Sequence, residues 1–212
     1  DDFAEVNNAL VGTDAAYRIL SIHYGIEGRV RADDLQKKEW RGIAVAEKGI
    51  DLVVGHHAHV VRGVERVGKG LVFYGLGNFL HHGTANMGGK GICKDYGLLA
   101  RLHLVAGADG KLSARALEAY PLAGMHIRPV PLRGAEAAAR IHALNYLGSL
   151  LGDAGADAEG VRFTPQADGH GLYCLPGADN DPDPVGALCT GYRAAPAIPD
   201  GLKGRIAASC AS

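Results

Sequence analysis

The sequence lacks an excess of charge and any long apolar run, and each absence excludes a class of protein. Lys and Arg number 22 against 23 Asp and Glu, so the net charge is −1 at pH 7. A general nucleic-acid binder needs a basic surface for phosphates, and this balance argues against nucleic acid as a partner. No apolar stretch approaches the roughly 20 residues that cross a bilayer, so we expect no transmembrane segment in this sequence.

Targeting and thiol motifs are also missing. The first residues do not have the basic, apolar and small-residue regions of a signal peptide, and the chain begins at Asp1 without Met, which suggests a processed product, a fragment or a trimmed piece. Its four cysteines form no C-x-x-C pair, which argues against a thiolate zinc site or a redox motif. Disulfides among them would suit an exported protein, and free thiols are equally consistent with the spacing. No G-x-S-x-G motif supports serine catalysis.

What the sequence does contain is an apolar run followed by three histidines. Residues 51–54 predict a short buried strand, and after a glycine come His56, His57 and His59. In α/β sheets, binding and catalytic residues gather on loops at the C-terminal ends of strands, and neutral imidazole is the commonest metal ligand. His57 and His59, two residues apart, can turn both rings toward one ion. The pattern therefore predicts a metal-binding loop, and the alternative is a solvated, histidine-rich turn.

A fourth histidine is expected at the same edge of the sheet. Residues 18–22 predict a strand, residues 33–48 a helix with an acidic cap, and the strand at 51–54 follows. A strand, a helix and a strand with short connections form a βαβ unit, in which the two strands are parallel. Because parallel strands end at the same edge, His23 should lie near the histidine loop.

The remainder of the sequence predicts an α/β domain with an appendage. A hairpin over residues 60–74 leads to Asn78. The other predicted elements are strands at 97–105 and 112–119 and a helix at 134–151, while residues 1–16 are a lead-in without regular structure. We therefore assign residues 1–151 to an α/β domain and residues 152–212, in which Gly, Ala, Asp and Pro dominate, to an irregular C-terminal appendage.

Three segments carry a family likeness. They are S-I-H-Y-G-I-E at 21–27, G-I-D-L-V-V-G-H-H-A-H-V at 49–60 and F-Y-G-L-G-N-F at 73–79, with Gln36 between the first two. Together they resemble the CapA-type capsule and poly-gamma-glutamate biosynthesis proteins, over about residues 17–132. The fold of that family is similar to calcineurin-like metallophosphoesterases, so the resemblance implies a two-sheet α/β sandwich with metal ligands on loops at strand ends.

The resemblance also implies a role for each matched residue. The implied set is His23, His57 and His59 as metal ligands, Asn78 as a ligand or a substrate-orienting catalytic residue, Glu27 as a catalytic residue in proton transfer, and His56 as a candidate further ligand. The ion would be divalent manganese, iron or zinc. Such an ion lowers the pKa of a bound water toward neutrality and creates a nucleophile.

One part of the family pattern has no counterpart in this sequence. The N-terminal half of the family, with its Gly-Asp, Asn-Leu-Glu and Asn-Asn-His segments, would supply an aspartate, a glutamate, an asparagine and a histidine to the site. We therefore expect residues 1–151 to be the C-terminal half of such a domain, completed by the missing N-terminal half or by a partner chain.

The expected function follows from the resemblance. It implies synthesis or processing of capsule polymer at the cell envelope, in the periplasm or at the cell surface, on an anionic polymer or a small-molecule substrate. Metal-dependent hydrolysis of phosphoester or gamma-glutamyl amide bonds is the expected chemistry. The alternatives are a non-catalytic binding or scaffold subunit of the envelope polymer machinery and a structural metal clip. His81 and His82 are interpreted as loop or substrate-side residues, and Arg62 as part of a solvated or polyanion-binding rim.

Overall fold

Two β-sheets and the helices packed against them make up the structure, a computed structural model that describes residues 2–11, 13–45, 49–83, 89–152 and 158–211. The helices are α1 (Asp2–Val11), α2 (Asp34–Val45), α3 (Gly134–Ser149), α4 (Val185–Cys189) and α5 (Asp200–Ser209), with a 3-10 turn at Ala178–Asn180. The strands are β1 (Ile19–His23), β2 (Leu52–His56), β3 (Val64–Val67), β4 (Gly70–Phe73), β5 (Gly97–Ala106), β6 (Leu112–Ala123), β7 (Val130–Pro131), β8 (Ala158–Gly160), β9 (Thr164–Pro165) and β10 (Gly171–Cys174). Among the described helices, none has both the length and the apolar character needed to cross a membrane.

The first sheet has the strand order β1-β2-β4-β3-β8. β1 pairs with β2 in parallel, and the register places His23 opposite His56 at the shared end. β2 is also parallel to β4, and β3 and β4 form an antiparallel hairpin. The predicted βαβ unit and the predicted hairpin are therefore confirmed.

Helix α2 packs on one face of this sheet through a buried aromatic pair. The helix begins where the Asp33 carboxylate accepts a 2.8 Å hydrogen bond from the Gln36 amide, as an N-cap does. Trp40 is fully buried and stacks on Tyr74, with ring centres 5.5 Å apart. Its ring also lies against Gly55, where a side chain would collide with it. The predicted end of this helix at Lys48 lies outside the described residues.

The second sheet has the order β5-β6-β10-β9, with β7 paired to β6. The main core joins the two sheets and α3, since Phe73 of the first sheet, Leu117 of the second and Leu144 of α3 belong to one buried cluster. This mixed α/β arrangement with two sheets is the fold class expected from the sequence, and the strands predicted at 97–105 and 112–119 and the helix at 134–151 are confirmed.

A buried carboxylate on β6 accepts hydrogen bonds from three side chains of the second sheet and lies near His170, and we call this group the Glu118 network. Tyr120 donates to Glu118 Oε1 at 2.6 Å, and His103 Nε2 lies 2.7 Å from Oε2. Arg101 and His170 complete it, 3.2 and 3.5 Å from the carboxylate. Burial by itself raises the pKa of Glu118, but the hydrogen bonds from Tyr120 and His103 outweigh it and hold the pKa below its ordinary value.

Two sequence expectations about the chain ends were wrong. Residues 1–16 were expected to lack regular structure, and α1 occupies most of them. Residues 152–212 were expected to be irregular, yet β8 joins the first sheet beside β3, and β9 and β10 extend the second sheet from β6. These strands have only two to four residues each, which is too short for a period to show, and their partners lie far away along the chain.

Two disulfides involve the C-terminal part, and one of them links it to the rest of the chain. Cys93 pairs with Cys210 across 117 residues, and their Cα atoms are 5.5 Å apart. Cys174 pairs with Cys189, with Cα atoms 5.9 Å apart. The sequence was equally consistent with disulfides and with free thiols, and in the structure all four cysteines form disulfides. Disulfides are typical of proteins in oxidising compartments.

Candidate functional site

The ends of β1 and β2 bring two of the predicted ligands into contact. His23 is the last residue of β1, and His57 follows the last residue of β2. Nε2 of His23 and Nδ1 of His57 are 3.0 Å apart, and the ring centres are 4.7 Å apart. One of these nitrogens donates its proton to the other. The pair exists because the two strands are parallel, as the sequence predicted.

The loop after β2 has an unusual backbone. His57 and His59 both adopt positive φ, 83° and 56°. Residues other than glycine rarely adopt positive φ, because this backbone conformation costs of the order of 1–3 kcal/mol at a residue. Such strained residues cluster at functional sites. The residue between them, Ala58, is buried and its carbonyl accepts a 2.8 Å hydrogen bond from the Gly28 amide. The loop is thus fixed at its centre, between two histidines in the same strained conformation.

Asn78 orients the second histidine of the loop. Its Oδ1 lies 2.6 Å from Nδ1 of His59. A carboxamide oxygen only accepts hydrogen bonds, so His59 carries its proton on Nδ1 and leaves the lone pair on Nε2 for a ligand. A partner of this kind sets the tautomer and the ring orientation of a histidine that binds metal. In the structure, Asn78 therefore orients the His59 ring, and its Oδ1 is occupied by that hydrogen bond.

His81 also lies beside His59, although the sequence predicted only a loop or substrate-side position for it. The ring of His81 meets the ring of His59 edge to face, with centres 5.0 Å apart. His57 and His59 are more distant, at 6.4 Å. The four rings of His23, His57, His59 and His81 thus form a row. Only the position of His81 shortly after the L-G-N-F motif could have pointed to it.

The row borders a cavity of about 560 Å³. Asn78 and the four histidines line one part of it, and apolar side chains from both sheets line much of the rest. The apolar lining includes Leu52, Val54, Phe73, Leu98 and Leu102. The cavity therefore places ring nitrogens beside a largely apolar wall, which lowers the local dielectric constant around any bound charge.

Two predicted residues make no contact with the row, although one of them, His56, also lines the cavity. His56 points to Ser21 of β1, with 3.0 Å between its Nε2 and the serine Oγ. Glu27 is exposed in the turn after β1, does not line the cavity, and makes no hydrogen bond or ion pair among the described residues. The structure therefore brings together His23, His57, His59 and Asn78, and leaves Glu27 and His56 outside that contact.

Arg62 is buried behind the segment that follows His23. It does not belong to a solvated or polyanion-binding rim, so the interpretation of Arg62 as a rim residue was wrong. It is fully buried, and its guanidinium donates to the carbonyls of Ile26 and Arg29 and to the side chain of Gln36 at 2.7–2.8 Å. Desolvation lowers its pKa to about 10. These bonds hold the segment that follows His23. Sequence reasoning missed this role because an arginine after a strand usually lies on the surface.

The donor set fits a transition metal in type and in pair spacing. Two nitrogens that bind one ion at about 2.1 Å stand roughly 3.0–3.4 Å apart, and the His23 and His57 nitrogens are 3.0 Å apart. Imidazole nitrogen suits zinc and other first-row transition metals. Among the described residues, however, no three His, Cys, Asp or Glu side chains converge on one ion position. The site is therefore suited to a metal in chemistry and incomplete in number of ligands.

Comparison with known proteins agrees with this geometry. Residues 3–82, which include α1 and the whole row of histidines, match the family described as bacterial capsule synthesis protein PGA_cap. Through these residues the chain is similar to the CapA-type capsule biosynthesis family. The PGA biosynthesis protein CapA of Bacillus subtilis (strain 168) is 36% identical over 62 residues, 29% of this chain and 16% of that protein. The capsule biosynthesis protein CapA of Bacillus anthracis is 34% identical over 62 residues, 29% of this chain and 15% of that protein.

The extent of the CapA-type match differs from the extent expected. It ends at residue 82, so the second sheet and the C-terminal strands lie outside it, whereas the motifs suggested a likeness to about residue 132. It also begins earlier than residue 17 and takes in α1. The matched stretch spans about a sixth of each curated CapA relative.

Proposed function

We propose that this protein acts in the synthesis or processing of a capsule polymer of the poly-gamma-glutamate kind, and that histidines of its row bind divalent metal for hydrolysis. The observation that carries the proposal is the contact of His23 with His57 at the ends of two parallel strands, next to a His59 that Asn78 orients. The names of the two CapA relatives, which refer to PGA and to capsule biosynthesis, support the substrate class.

Each residue of the row has a defined task in this proposal. His23 and His57 would hold the ion through the two nitrogens that now share a hydrogen bond, and the proton between them would move to the other nitrogen of its ring. His59 presents Nε2, and Asn78 keeps its ring in that orientation. When bound, the metal polarises an ester or amide group and lowers the pKa of a water ligand. The apolar wall of the cavity excludes bulk water from the reacting group. Because Glu27 has no contact with the row, we assign it no step.

The remaining ligands come from outside the described residues. A single pair of histidines leaves several coordination positions free, and oxygen ligands from another segment of the polypeptide, a partner chain or the substrate would fill them. An anionic polymer or a smaller anionic substrate suits such a cationic centre. The two disulfides support a location in the periplasm or at the cell surface, where thiols are oxidised.

A non-catalytic role is the second candidate, and the ligand count favours it. A protein that keeps the cavity but holds no complete metal group would bind a polymer segment in the envelope machinery without cleaving it. This candidate differs from the first in one measurable respect, because it requires no bond to be broken.

Metal titration and a hydrolysis assay separate the two. The 212-residue chain is titrated with Zn²⁺ or Mn²⁺ by calorimetry, next to His57→Ala and to His82→Gln, whose histidine is exposed and does not line the cavity. We expect binding that His57→Ala weakens at least about tenfold and His82→Gln leaves within twofold. Hydrolysis of a generic phosphodiester or a gamma-glutamyl anilide by the loaded chain supports the enzyme. Binding without hydrolysis supports the scaffold, and no binding by the unaltered chain refutes the metal site.

A further inference from the structure

We infer that His81 is a further nitrogen ligand of this site and forms with His59 a second ligand pair, separate from the pair of His23 and His57. The inference rests on the proposed metal binding and extends it to a residue that the family motifs do not supply. In this chain the L-G-N-F motif is followed by Leu80, His81 and His82.

The distance between the two rings is the first argument. Two imidazoles that bind one ion through nitrogens about 2.1 Å from it, at ligand angles between octahedral and tetrahedral, have ring centres roughly 4.6–5.3 Å apart. The centres of His59 and His81 are 5.0 Å apart, and those of His23 and His57 are 4.7 Å apart. His57 and His59, at 6.4 Å, are too distant for the same ion. The row therefore divides into two pairs whose ring spacing allows shared ligation.

The second argument is an unsatisfied nitrogen. Nδ1 of His81 is buried and has no hydrogen-bond partner among the described residues. A buried polar atom without a partner costs about 1–3 kcal/mol, and such atoms often mark the place of a ligand or an ion. The exposed neighbour His82 has no such constraint, because solvent satisfies its ring.

The third argument is that the ring position of His81 is built in. Its amide donates to the carbonyl of Met125 at 2.8 Å, and its own carbonyl lies 3.0 Å from Nδ1 of His126. Gly83 leaves open the space into which the ring fits, since a side chain there would stand 2.5 Å from Cε1 of His81. A surface histidine without a task would not need this support.

The chemistry of the pair selects the class of ion. His59 and His81 offer nitrogen donors only, and Asn78 is occupied as the hydrogen-bond partner of His59. Nitrogen ligands favour Zn²⁺, Cu²⁺ or Ni²⁺ over Mg²⁺ or Ca²⁺, which prefer oxygen. We therefore expect Zn²⁺ to use this pair and Mg²⁺ to ignore it.

The test compares neighbouring histidines and a change that moves the ring without removing it. His81→Phe keeps an aromatic ring against His59 but removes both nitrogens. His82→Gln changes the adjacent, exposed histidine and is the matched control. Gly83→Ala keeps His81 and displaces its ring. Each variant, with a circular dichroism spectrum to show that it folds, is titrated with Zn²⁺, and the visible absorption of bound Co²⁺ reports the number of nitrogen ligands.

We expect His81→Phe to weaken Zn²⁺ binding at least about tenfold and to change the Co²⁺ spectrum, Gly83→Ala to weaken it less, and His82→Gln to leave both unchanged. Equal binding by His81→Phe and the unaltered chain, while His57→Ala still weakens binding, would overturn this inference and leave the proposed function standing. No Zn²⁺ binding by the unaltered chain would overturn both. A folded His81→Phe variant is not required for the conclusion, because Gly83→Ala perturbs the same ring independently.

Discussion

Adding one methyl group behind the histidine loop should destabilise the protein more than its size suggests. Gly55 lies in β2 directly before His56, and a Cβ there would stand 2.6 Å from the ring of Trp40 and 2.7 Å from the carbonyl oxygen of Tyr74. Ordinary contacts of a Cβ atom are 3.4–4 Å. Because Trp40 is fully buried and stacked on Tyr74, neither neighbour can yield without moving the other.

The cost can be set against a matched substitution. Overpacking a well-filled core typically costs about 1–3 kcal/mol, which is the loss expected for Gly55→Ala. Gly42, on the solvent side of α2, has nothing within 4 Å of its Cβ position, and replacing a glycine within a helix by alanine gains roughly 0.5–1 kcal/mol. The two variants add the same methyl group, so we expect their stabilities to differ by roughly 2–4 kcal/mol.

Thermal and urea unfolding followed by circular dichroism measure this difference. For a chain of this length, 1 kcal/mol corresponds to roughly 2–4 °C in Tm. Zn²⁺ affinity measured on the same variant shows whether the loop moves with the strand end. A Gly55→Ala variant as stable as Gly42→Ala would refute the packing argument. Trp40→Phe in the Gly55→Ala background should recover only part of the loss, because the Tyr74 carbonyl remains.

Three further predictions concern the site, the pH dependence and the disulfides. Asn78→Ala removes the acceptor for the His59 ring and should lower Zn²⁺ affinity about 10- to 100-fold in calorimetry with little change in Tm; an unchanged affinity would contradict the orienting role. The pKa of Glu118 is lowered in the folded protein, so its stabilisation is present above its ordinary pKa of 4.5 and is lost as the pH falls through the folded value. In urea unfolding from pH 3 to 6, Glu118→Gln should therefore show a weaker loss of stability with acid than the unaltered chain, and parallel curves would count against the Glu118 network. Replacing Cys93 and Cys210 by serine should lower the free energy of unfolding by roughly 4–5 kcal/mol, and replacing Cys174 and Cys189 by roughly 3 kcal/mol. The difference arises because the unfolded chain gains more entropy when the longer loop is opened. The reverse order of unfolding midpoints would show that chain entropy does not dominate here.

The sequence predicted the part of the fold that has local periodicity. The strands at β1 and β2 and the helix between them each carry enough residues for a pattern, and short connections then require parallel strands. This is why the sequence pattern was sufficient to place His23 beside the histidine loop. The same reasoning failed for α1 and for the short strands β8 to β10, whose hydrogen bonds depend on partners distant in sequence.

The candidate site divides in the same way. His23, His57, His59 and Asn78 could be named because they occur in motifs whose spacing resembles a family. The contact of Asn78 with His59, and the place of Glu27 outside the cavity, could not be foreseen, since they depend on the paths of loops. Arg62 was misread for a related reason, because its hydrogen-bond partners are carbonyl groups, which a sequence pattern does not reveal.

The sequence by itself determined the fold class of this protein, its strand-end histidines and its likeness to a family, because periodicity, turns and motif spacing are properties of residues close together along the chain. Tertiary structure alone decided which histidines touch, which nitrogen of His59 carries the proton, that His81 joins the row and that the four cysteines are paired. Those outcomes depend on distances of a few tenths of an ångström between side chains from separate segments. Only the packing of the two sheets sets such distances.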